Sequence, residues 1–98
     1  MKPMPNVTLT TVRIPGVLRA YAGGATSLSL SAADVRGLLE ELGRCYPSLH
    51  RNVCDETGAV RRHINVFVNT THVRERQGLD TPLEAGDVVT ILPAVSGG

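Results

Sequence analysis

Residues Ser27 to Leu42 read SLSLSAADVRGLLEEL, and the hydrophobic period changes midway along this stretch. Leu28 and Leu30 alternate with serines, the period-2 pattern of a strand with one covered face. Val35, Leu38, Leu39 and Leu42 then fall at i, i+3, i+4 and i+7, a single apolar stripe on a helix. Between them, Ser31 followed three residues later by Asp34 has the form of a helix start, with the hydroxyl capping free amides and the carboxylate favoured by the N-terminal dipole. The spacing predicts a helix beginning near Ala32 and ended by Pro47. Gly37 and Gly43 weaken that helix by about 0.5–1 kcal/mol each relative to Ala. Both are expected to serve close approach to a sheet.

Upstream, VTLTTVRIP over Val7 to Pro15 is rich in β-branched residues and stops at Pro15-Gly16. Thr10, Val12 and Ile14 share one parity, whereas Val7 and Leu9 share the other, so residues 1–9 are expected to form an extension outside the sheet. Gly23-Gly24 is a turn, and the strand around Val12 pairs with SLSLS as a hairpin. Downstream, Pro47 to Arg62 has no strong period and reads as an exposed connection with at most one short irregular turn. INVFV, Ile64 to Val68, is apolar enough for a strand covered at the sheet centre. His72-Val73 is a short edge strand, Glu84-Ala85-Gly86-Asp87 a tight turn, and VVTIL, Val88 to Leu92, the last strand.

The order β-β-α-β-(β)-β, with one main helix across a mixed sheet of four to five strands, is an α+β fold of ubiquitin-like β-grasp type. With 98 residues, residues 1–98 form a single domain. Apolar residues make up 42% of the chain, enough for a core. The formal net charge of +1 and the three aromatics Tyr21, Tyr46 and Phe67 argue against nucleic acid as a partner. There is no apolar run of membrane-spanning length and no signal-peptide pattern at the start, so the expectation is a cytoplasmic protein without membrane contact.

Chemistry concentrates in VVTILPAVSGG, residues 88–98. Pro93 cannot donate a ladder hydrogen bond, and the chain is expected to leave the sheet there. Pro93 to Gly98, extended at roughly 3.3 Å per residue, spans on the order of 20 Å, enough to enter another protein's active site. Val95 anchors this tail beside Ser96, and Gly97 and Gly98 lack the Cβ that would obstruct a narrow channel. The Gly98 carboxylate is a poor electrophile at neutral pH and needs activation, most simply as an acyl-adenylate made from ATP by a partner. The chain has no GxxxxGK[ST] loop and no GxGxxG after a strand, so phosphoryl chemistry of its own is not expected.

Cys45, Cys54, His50, His63 and His72 lack metal-ligand spacing, and neither thiol has a recognisable activating triad. Both cysteines are expected to be reduced, with no metal and no catalytic residue. Arg61-Arg62-His63 is a solvated strand entrance or a partner-docking patch.

VRIPGVLRAYAGG, HINVFVNTTHVR, EAGDVVTILPAV and the final SGG together resemble the β-grasp sulfur carriers, the group of the molybdopterin-synthase small subunit and the thiazole-synthesis carrier. Within that group the sequence is similar to the mycobacterial-type carriers of cysteine biosynthesis. Pro93-Ala94 stands where molybdopterin-synthase subunits often have Pro-Pro. The resemblance implies a protein cosubstrate, not an enzyme, whose Gly98 is adenylated by a ubiquitin-activating-like adenylyltransferase with ATP and Mg and converted to a thiocarboxylate. No cofactor is bound by this chain itself. The implied acceptor is a cysteine-synthase-like enzyme, where an activated serine waits as an aminoacrylate on pyridoxal phosphate, or alternatively a molybdopterin synthase large subunit. A metallopeptidase is a further partner that the resemblance leaves open. A ubiquitin-like modifier, which would end on a lysine, uses the same activated Gly98.

Overall fold

The computed structural model describes residues 9–94. Five strands form one sheet: β1 (Leu9–Arg13), β2 (Ser27–Ser31), β3 (Ile64–Val68), β4 (Thr71–His72) and β5 (Val88–Pro93). Their spatial order is β2-β1-β5-β3-β4. β1 and β2 pair antiparallel, β5 runs parallel to β1 with Val12 beside Val89, and β3 pairs antiparallel with β5 and β4. The β-grasp expectation is met, and β5, not β3, takes the centre. Thr10, Val12 and Ile14 point inward, as their shared parity required, but Leu9 is not part of an extension: it is the first residue of β1, paired with Ser31, with its side chain on the exposed face.

The helix α1 (Val35–Cys45) lies across one face and buries Val35, Leu38, Leu39 and Leu42. It starts three residues later than Ala32. Ser31 is the last residue of β2, and the N-cap is Asp34, whose carboxylate accepts from the Gly37 amide at 2.8 Å. The reason is tertiary. Leu83 donates its amide to the Ala33 carbonyl and Val35 donates to that of Thr81, so Asp34 is held extended opposite Pro82.

Pro47 does not lead into an exposed connection. It is the first residue of a second helix, α2 (Pro47–Val53), where the missing amide costs nothing. Leu49 and Val53 are fully buried on it, as is Cys54 just beyond. Gly43 correspondingly faces α2 and not the sheet: a Cβ there would stand 3.0 Å from the His50 ring carbon Cγ. Gly37 sits over the Asp34 cap and Ala32, also away from the sheet. The stretch after β1 closes as a 3-10 helix, Gly16–Ala22, that buries Leu18 and Ala22 before the Gly23-Gly24 turn.

The core is the apolar layer between the helices and the inward residues of β1, β2, β3 and β5. Among the described residues no element covers the reverse side of the sheet: Ser27, Ser29, Arg13, Thr90, Leu92, Phe67 and His72 face it by strand parity.

Candidate functional site

The site is the downstream end of β5 and its surroundings. Pro93 pairs with Ile64 on β3, and the ladder continues one residue further, since Ala94 donates to the His63 carbonyl at 2.6 Å. The chain therefore does not leave the sheet at Pro93. Hydrogen-bonded and non-bonded pairs alternate along antiparallel strands. With 63/94 and 69/88 bonded, Pro93 occupies a non-bonded pair and its nitrogen faces away from β3, where β1 has already ended at Arg13. The missing N–H thus falls on the side of β5 that has no paired strand residue at this position. Val95, Ser96, Gly97 and Gly98 lie outside the described residues.

Charge is segregated along β5. Glu84 and Asp87 flank its start, where the Asp87 carboxylate accepts from the Glu84 amide at 2.9 Å and from the Asn69 side-chain amide at 3.2 Å. Towards the other end Arg13 and Arg19 lie on the β1 side of the strand, and Arg62 and His63 on the β3 side. Arg13 pairs in register with Thr90, and together with Arg19, Thr90 and Leu92 it lines a hollow of about 300 Å³ beside the strand end. Arg19 is held there by a bond from its Nε to the Ile14 carbonyl, 3.0 Å. The net charge of +1 conceals this local excess of cations. Arg13 and Arg19 lie in the VRIPGVLRAYAGG stretch, which gives them no role at the site; the parallel pairing of β1 with β5 brings them there.

On the uncovered face, Leu92 is 43% exposed next to Asn65, and Phe67 lies between Thr90 and His72. His72 is not a ligand in waiting. Its Nδ1 accepts from the Arg74 amide at 3.0 Å and its Nε2 lies 3.0 Å from Asn65 Oδ1, so one neutral tautomer, protonated on Nε2, satisfies both. Its ring meets Phe67 edge-on at 5.1 Å.

The thiols separate by environment. Cys45 is exposed at the end of α1, whereas Cys54 is 1% exposed, and burial followed by the charge of Asp55 pushes its pKa up to about 11. A thiol held neutral in this way is a packing residue. Among the described residues no three His, Cys, Asp or Glu side chains come together as a metal cluster. Among the described residues no helix is long and apolar enough to cross a membrane.

The sheet order and the strand end at its centre define a ubiquitin-like β-grasp protein. The ThiS family model matches residues 12–98, and the chain belongs to the ThiS family. It is 39% identical over 90 residues to the sulfur carrier protein CysO of Mycobacterium tuberculosis, covering 90% of this chain and 97% of that protein. A chain in the crystal structure of the Amycolatopsis orientalis BexX/CysO complex superposes with a TM-score of 0.82 at 36% identity, covering 91% of this chain and 99% of that one. The small archaeal modifier protein 1 of Methanosarcina acetivorans gives 0.81 at 32% identity over 96% of this chain and all of its own.

Proposed function

We propose that this protein is a cytoplasmic sulfur carrier whose Gly98 carboxylate is adenylated and then converted to a thiocarboxylate, with cysteine biosynthesis as the pathway it serves. The observation carrying this reading is the family match that runs through Gly97 and Gly98, together with 39% identity to a sulfur carrier protein. In the first step a carboxylate oxygen attacks the α-phosphorus of ATP on the activating enzyme, releasing pyrophosphate. A hydrosulfide-level nucleophile then displaces AMP, giving the thiocarboxylate and a proton. ATP and Mg belong to that enzyme, and the chain contributes no catalytic group.

The fold supports this division of labour. β5 is the central strand, paired with β1 on one side and β3 on the other, and arginines flank its downstream end. Sulfur attached to a docked chain is presented at high effective concentration, where free sulfide would diffuse away. Val95 and Ser96 act as spacer and Gly97 as the narrow passage. Mass spectrometry of the protein recovered from cells tests the reading. A sulfur-for-oxygen exchange at Gly98 is expected. An unmodified carboxylate under sulfur demand, or a Gly98 remnant on lysines alone, would overturn it, the latter in favour of the modifier class to which the archaeal relative belongs.

A further inference from the structure

On the helix side of the sheet the covering layer is incomplete. Over β3 and β4, the connection 54–62 and the segment 73–80 stand apart and leave a cleft of about 420 Å³. Its floor is Ile64, Val66 and Val73, all buried beneath it, and its walls are Val60 and Leu79. The wall is preformed: the Asp55 carboxylate accepts from the Thr57 amide at 2.8 Å, the Thr57 hydroxyl at 2.6 Å and the Ala59 amide at 3.2 Å.

Arg62 and Arg74 stand exposed at the mouth. Ion pairs among the described residues are Arg36 with Asp80 and Arg44 with Glu41, so neither mouth arginine has a carboxylate partner there. Arg61 also lines the cleft but is engaged, its Nε bonding the Arg51 carbonyl at 2.8 Å. An apolar hollow rimmed by unpaired cations complements an apolar side chain flanked by carboxylates. Its position gives that complementarity a use. Arg62 precedes His63, whose carbonyl accepts from the Ala94 amide just beyond β5, so an occupant of the cleft sits beside that strand end.

We propose that this cleft docks the adenylating enzyme, through a segment of that enzyme bearing one bulky apolar side chain with adjacent Asp or Glu. The inference rests on the sulfur-carrier reading and adds a second contact, on the helix side, to whatever the enzyme makes with the tail. The arginines set encounter and orientation, and the apolar anchor sets residence time.

Calorimetric titration of the full chain into its cognate adenylating enzyme, at low and high salt, tests this, with pyrophosphate exchange measured in parallel. Arg62→Glu/Arg74→Glu is expected to weaken binding at least about tenfold and to flatten its salt dependence. Ala59→Phe, which puts an aromatic ring at the cleft mouth, should weaken it comparably without changing charge. Both should regain the wild-type exchange rate at saturating carrier. Wild-type affinity in both variants, with exchange intact, overturns the cleft assignment alone. So do altered backbone NMR shifts of Val95 to Gly98 in the isolated charge-reversed chain, since the cleft would then hold the chain's own tail. Absence of exchange with the unaltered protein overturns the carrier reading itself.

Discussion

Ala94 donates its backbone N–H to the carbonyl of His63 at 2.6 Å, so the central strand remains in the sheet one residue beyond a proline. In the sequence, residues 95–98 follow this bond. Four residues, fully extended at roughly 3.3 Å each, span on the order of 13 Å, less than the six that start at Pro93. On the proposed reading, the enzyme that receives Gly98 approaches the sheet end closely and meets the side chains around it.

Leu92 is the nearest exposed apolar residue on the uncovered face. Leu92→Asp is expected to raise the KM for adenylation at least about tenfold, in line with an interface anchor of about 1.4 kcal/mol or more. The thermal midpoint should stay within a few degrees, because the side chain is outside the core. A KM equal to wild type would remove this face from the interface.

Gly97→Ala leaves the carboxylate intact and adds one methyl in the proposed passage. A displacement of the reacting group by about 1 Å costs on the order of 10²-fold, and pyrophosphate exchange should fall by that order. Equal exchange rates would show that the enzyme does not need a glycine there.

Thr10 is 1% exposed on the inward face of β1, and its hydroxyl has no hydrogen-bond partner among the described residues. Thr10→Val keeps the shape and removes an unsatisfied polar group, so stability should rise by about 1–2 kcal/mol in chemical denaturation. A loss of stability would mean that the hydroxyl is satisfied in solution.

Leu49 is the test of α2 as core. Leu49→Ala, at a fully buried position, should cost about 2–5 kcal/mol, enough to unfold much of a domain this small. A change under about 0.5 kcal/mol, the size of a surface substitution, would place α2 outside the cooperative unit.

Cys54 makes stability fall in alkali. Its folded pKa, about 11, lies above its ordinary value of 9.0, so the folded state holds a proton that the unfolded state has lost between those values. The stability of the native state relative to Cys54→Ala should thus be level below pH 9 and decline as pH rises toward 11. Alkylation should label Cys45 in the native protein and Cys54 only on unfolding.

Most of the fold was legible because its signals are local. The alternation around Leu28 and Leu30, the 3.6-residue stripe from Val35 to Leu42 and the parity of Thr10, Val12 and Ile14 each state which face is buried, and the structure buries those faces. α2 escaped because its seven residues offer two apolar positions, Leu49 and Val53, too few to establish a period. The α1 start was misplaced because Ser31 and Asp34 are both competent caps, and long-range bonds from 81–83 to Ala33 and Val35 chose between them.

For the site, the sequence by itself determined which residues follow the last strand: Val95, Ser96, Gly97 and Gly98, the residues to which the proposed passage and carboxylate chemistry are assigned by residue type. Tertiary structure alone decided what surrounds the root of those residues. Arg13 and Arg19 reach it because β1 runs parallel to β5, Arg62 because β3 runs antiparallel to it, and the cleft exists because two connections distant in sequence fail to meet over β3. Long-range pairing and incomplete packing have no local periodicity, and so leave no mark that a single chain of letters displays.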